Sequence, residues 1–201
     1  MNKLIKVGVF TLAAVLMMSC RGGRGGRGGS EVTKEAFQTA VDGLAEHQYS
    51  RASVDVSMDL TYLDESGNTQ SKHEEINAKY TYSNGAWTGD DSSTDVPPYF
   101  VSIRGQQVDD YINELFFGGN SPSSYNPEYK YYKSPLKVKM SYEQTAANDT
   151  EVLIFQTEFS AEFDKYGYLT KMAGSAIVSR GSAPSISVVE SIAETIIITY
   201  K

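Results

Sequence analysis

Residues 53–62 read Ser53-Val54-Asp55-Val56-Ser57-Met58-Asp59-Leu60-Thr61-Tyr62, and every second one is apolar. A period of two sets Val54, Val56, Met58, Leu60 and Tyr62 on one side of an extended chain and the polar residues on the other. This is the pattern of an antiparallel strand with one dry face. Past the turn Asp64-Glu65-Ser66-Gly67 the alternation resumes: Ile76, Ala78, Tyr80 and Tyr82 interleave with Glu75, Asn77, Lys79 and Thr81. Asn84-Gly85 then supplies a two-residue hairpin turn leading to Ala86 and Trp87. The dry side of this meander (Val54, Val56, Met58, Leu60, Tyr80, Tyr82 and Trp87) is the candidate lining of an apolar hollow.

Upstream, Glu31 to Glu46 changes period. Phe37, Ala40, Val41 and Leu44 fall at helical spacing, with Ser30 or Thr33 available as cap and Glu31 and Glu35 at the positive end. This amphipathic helix needs a sheet to cover. Downstream, DDSSTDVPP (Asp90 to Pro98) is a polar loop, and Tyr99 to Ile103 has no clear period. Val108, Tyr111, Ile112 and Leu115 form a short helical stripe ended by Gly118-Gly119. Asn120 to Tyr132 reads as a surface loop whose Tyr125, Tyr129, Tyr131 and Tyr132 suit contact with a protein or glycan.

The last third alternates throughout. Leu136, Val138, Met140 and Tyr142 are followed by Leu153, Phe155, Phe159, Ala161 and Phe163. After the turn Asp164-Lys165-Tyr166-Gly167, Tyr168 to Ser179 returns with a bulge or kink expected at Gly174. Gly181 to Pro184 turns again, and Val188, Ile192, Ile196, Ile198 and Tyr200 close the sheet, interrupted by Glu190 and Glu194. The order predicts an α+β fold. It is a single curved antiparallel sheet of about seven long strands, packed on an N-terminal amphipathic helix and a short mid-chain helix.

The chain begins MNKLIKVGVFTLAAVLMMSC. Two lysines, an apolar run from Val7 to Met18, Ser19 and then Cys20 make a secretory signal. The run is shorter than the ~20 apolar residues of a spanning helix. The segment resembles the signal peptide and lipobox of bacterial lipoproteins, which implies lipidation of Cys20 and attachment to a membrane outside the cytoplasm. Met17 stands where the lipobox usually has leucine. The alternative is an ordinary signal cleaved near Ser19, leaving Cys20 a free thiol. Cys20 is the one cysteine, so the chain has no internal disulfide. Arg21 to Gly29 repeats Arg-Gly-Gly three times, a flexible cationic tether. Residues 1–20 are thus a signal, 21–30 a tether and 31–201 one domain. All 25 acidic residues but only 13 of the 18 basic ones lie in that domain, a net of −12 that argues against nucleic acid as a partner.

With its lipid-tethered start, amphipathic helix, long antiparallel strands and mid-chain helical insertion, the chain is similar to the LolA-like and LppX/LprG-like lipid carriers of bacterial envelopes. In these a curved half-barrel holds acyl chains. The turn segment FDKYGYLTKM (Phe163 to Met172) adds to that likeness. The resemblance implies a non-catalytic carrier of a lipid or apolar molecule. The other expectation is a cell-surface protein- or glycan-binding module with a filled core and a tyrosine-rich contact loop. No G-x-S-x-G is present, and the two histidines, His47 at the helix end and His73 beside Glu74 and Glu75, read as surface residues. Adjacent carboxylates such as Glu74-Glu75 point to opposite faces of a strand, so they make no glycosidase pair. The loop Asp90, Asp91, Asp95 lacks the spacing and glycine of a calcium loop. No catalytic residue, metal site or cofactor is expected.

Overall fold

The computed structural model describes residues 30–64, 66–90, 96, 98–105, 126–147, 152–182 and 185–201. Cys20, the Arg-Gly-Gly repeat from Arg21 to Gly29, the stripe from Val108 to Leu115 and Tyr125 lie outside them. The described residues build one nine-stranded, open, curved antiparallel sheet with one α-helix. In chain order the elements are β1 (Glu31–Val32), α1 (Lys34–Asp42), β2 (Arg51–Leu63), β3 (Thr69–Ser83), β4 (Ala86–Gly89), a 3-10 turn (Pro98–Ser102), β5 (Glu128–Lys133), β6 (Leu136–Ala147), β7 (Val152–Phe163), β8 (Leu169–Ser182) and β9 (Ser185–Tyr200). Across the sheet the order is β1-β5-β6-β7-β8-β9-β2-β3-β4, with every pair antiparallel.

The alternating strand, β2, lies third from the β4 edge, between β3 and β9. On the inner face Val54 sits between Ala78 of β3 and Ile198 of β9, and Val56 between Ile76 and Ile196. Val54, Val56, Met58, Ala78, Ile196 and Ile198 are all buried. The β2–β9 pairing joins the two halves of the chain, and the last residue extends it: Ser50 and Arg51 both donate N–H to the carbonyl of Lys201. Asn84 and Gly85 both have positive φ (53° and 82°), the hairpin turn their sequence predicts.

Four expectations are corrected. The sheet has nine strands, not about seven, because Glu31–Val32 and Glu128–Lys133 pair with each other and extend the edge beside β6. The helix is shorter than Glu31 to Glu46. Thr33 caps it, its Oγ1 accepting from the Ala36 N–H, and Gly43 ends it. The loop over Asn120 to Tyr132 becomes strand from Glu128 onward. Finally, β8 passes Gly174 in regular register, and the irregularities fall at Glu162/Phe163 and Val178/Ser179.

Helix α1 occupies one end of the inner face, where Phe37 meets the rings of Tyr131 and Phe163 at 5.4 and 6.4 Å. The turn at Gly167 closes over the same corner. Its φ of +81° suits glycine, and a Cβ there would stand 3.1 Å from Leu44 Cδ1. A nine-residue helix is about 13 Å long, whereas β9, with 16 residues, runs about 50 Å.

Candidate functional site: the inner face of the sheet

The α1 end is sealed by aromatic rings. Tyr49 stacks on Tyr200 at 4.8 Å and meets Tyr168 edge-on at 5.0 Å, while His47 stacks on Tyr166 at 4.2 Å. The guanidinium of Arg104 lies 3.4 Å above the Tyr168 ring and donates to the Tyr166 carbonyl, the His47 carbonyl and the Tyr168 hydroxyl. Each buried phenol has a partner, as burial requires. Tyr49 donates to Asp164 Oδ2 at 2.6 Å, Tyr200 to the Val101 carbonyl at 3.3 Å and Tyr80 to the Val96 carbonyl. Desolvation raises the pKa of Tyr49, Tyr168 and Tyr200, and pushes Tyr80 up to about 12, so these phenols stay neutral.

Along the strands the inner face remains apolar well beyond the helix. The row Met58, Glu194, Gly174, Phe159 and Met140 crosses β2, β9, β8, β7 and β6. The next row is Leu60, Ile192, Ala176, Thr157 and Tyr142. Toward the opposite end Ala176, Thr157 and Val178 stay buried, while exposure rises on the flanking strands. Leu60, Ile192, Phe155 and Leu153 are half-buried, and Tyr62 is 38 % exposed. The face is closed by rings at one end and open-edged at the other.

One carboxyl interrupts it. Glu194 shares the inner face with Ile196 and Ile192, and its Oε1 is shut off from solvent with no hydrogen-bond partner. Desolvation pushes its pKa up to about 7. Glu190, four residues earlier on the same strand, is raised by the same cause.

Of the predicted lining, Val54, Val56, Met58 and Tyr80 are buried on the inner face, and Leu60 lies toward its open edge. Tyr82 and Trp87 instead form a T-shaped pair at 5.3 Å on a rim groove of about 410 Å³, shared with Gln48, Pro98, Ser102 and Arg104. The tyrosine contact loop is corrected. Tyr131 is 7 % exposed and belongs to the core with Phe37, Tyr129 stacks beside it at 6.2 Å, and Tyr132 lies on the opposite, polar face in β5. That polar face carries a groove of about 550 Å³ floored by Ser160, Ala173 and Ser175 and edged by lysines and glutamates.

The two histidines sit in separate surroundings. The helix stops at Asp42, so His47 does not cap it and stacks on Tyr166 instead. His73 is exposed, with Asp59 at 2.7 Å and Glu75 at 3.5 Å, which raise its pKa. Among the described residues no three His, Cys, Asp or Glu side chains gather as a metal site, and no helix is long and apolar enough to cross a membrane. Sequence reasoning missed the roles of Arg104, Tyr49 and Tyr168, which have no spacing signature. It did mark Glu194 as a polar residue at an inward position. No family model, curated protein or solved structure matches the chain.

Proposed function

We propose that the chain is a membrane-anchored envelope lipoprotein, held by a lipidated Cys20, whose curved sheet receives a lipid chain or other apolar ligand on its inner face without catalysing a reaction. The observation that carries this reading is the gradient along that face. Rings and Arg104 seal the α1 end, whereas Leu60, Tyr62, Leu153, Phe155 and Ile192 leave the other end apolar and partly exposed. Continuous exposed apolar surface is disfavoured on a protein unless something uses it. The lipobox, the basic tether and the likeness to envelope lipid carriers agree with the reading, and the acidic domain would be held off an anionic membrane surface.

The test is native mass spectrometry of the full chain purified from bacterial membranes, followed by organic extraction. A lipid present near one per chain is expected, along with acyl chains on the N-terminal peptide that a Cys20→Ser variant lacks. A bare mass with no extractable lipid would refute the carrier reading. A second reading, glycan contact at the rim, is favoured by Tyr82 and Trp87 in their groove. Trp87 is the one tryptophan, so its fluorescence reports occupancy there directly.

A further inference from the structure

We infer that Glu194 is the polar anchor of the inner face, and that the ligand it selects is a long-chain molecule carrying a hydroxyl group. This rests on the carrier reading and adds the ligand's chemical class to it.

Glu194 is paired with Met58 on one side and Gly174 on the other, and Phe159 stands beyond the glycine. Along its own strand its inner-face neighbours are Ile192 and Ile196. Gly174 leaves space beside the carboxyl, since even an added Cβ would meet only Phe159 Cδ2 at 3.7 Å and a backbone carbonyl at 3.6 Å. The other charged groups on this face are engaged or distant. Glu74, across Met58, pairs with Lys72, while Glu190 and Arg180 lie toward the open end. Nothing bonded to Glu194 Oε1 offsets its burial.

A buried oxygen without a donor costs free energy, and native chains retain few of them. The inward phenols Tyr49, Tyr80, Tyr168 and Tyr200 each have a partner supplied by the fold. A chain lying along the inner face from the open edge passes this carboxyl two rows in. A hydroxyl on that chain donates the missing hydrogen bond without bringing a second charge into apolar surroundings. A carboxylate headgroup would instead oppose Glu194.

The experiment is native mass spectrometry of the full chain released from detergent micelles, with equal concentrations of hexadecan-1-ol or its methyl ether added. The two ligands differ in the O–H donor. At pH 9, where Glu194 is ionised, wild type is expected to favour the alcohol at least tenfold, the discrimination of one hydrogen bond to a charged acceptor. Glu194→Leu is expected to bring the ratio to within twofold of one, and Glu194→Gln, whose carboxamide oxygen still accepts, to keep part of it. Equal binding of both ligands by wild type, or a preference that survives Glu194→Leu, overturns the assignment and leaves the carrier reading standing. Binding of neither ligand overturns both.

Discussion

Replacing Glu194 by glutamine removes a charge the fold holds at a loss. The carboxyl titrates near 4.5 when exposed and is pushed up to about 7 on the inner face. Between those values the native chain keeps a proton that the unfolded chain has released, so stability falls as pH rises through this window and levels off above it. At 1.36 kcal/mol per pKa unit the loss by pH 8 is about 3 kcal/mol. Glutamine has the same shape and never ionises. The stability difference between Glu194→Gln and wild type should therefore be nearly constant below pH 4.5 and grow by about 3 kcal/mol by pH 8. In urea titrations, with a slope near 2 kcal/mol/M, that is a midpoint gain of about 1.5 M. Glu190 and His73 are common to both proteins and cancel in the difference. Parallel pH profiles for the two proteins would refute the reasoning.

Other substitutions probe the parts that frame the face. Phe37→Ala removes the ring that joins α1 to Tyr131 and Phe163, and should cost about 3 to 4 kcal/mol in urea unfolding; a loss below 1 kcal/mol would mean that α1 does not close this end. Asp164→Ala should destabilise more than Tyr49→Phe, because Asp164 accepts from the Tyr49 hydroxyl and from the N–H groups of Tyr166 and Tyr168, whereas Tyr49→Phe loses one bond of about 1 to 2 kcal/mol. Gly167→Ala should cost at least about 1 kcal/mol, since the new methyl meets both a positive φ and Leu44. The His73 ring should titrate above an ordinary histidine by NMR and fall back in Asp59→Asn, because Asp59 and then Glu75 hold its charged form. Its stabilising contribution is complete below the unfolded pKa and disappears as pH rises through the folded one; an unchanged titration in Asp59→Asn would rule out the pairing as the cause.

Local pattern was enough to specify the antiparallel sheet, the inward set of β2 and β3, the Asn84-Gly85 hairpin and the acidic domain. Strand faces follow from a two-residue period, and the turn from residues that tolerate positive φ. The same alternation placed Glu194 inside. It could not say whether a partner awaited it, because that depends on what β2 and β8, more than a hundred and about twenty residues away in sequence, set beside it. The tertiary structure alone decided that Tyr131 is core rather than contact surface: Glu31–Val32, from about a hundred residues earlier in the chain, pairs with β5, and Phe37 covers Tyr131. It also decided the sealed end. Tyr49, Arg104, Tyr168 and Tyr200 are scattered along the chain and become one stacked cluster only when β9 returns to β2. Periodicity reports which way a side chain faces, and only the assembled sheet determines what it faces.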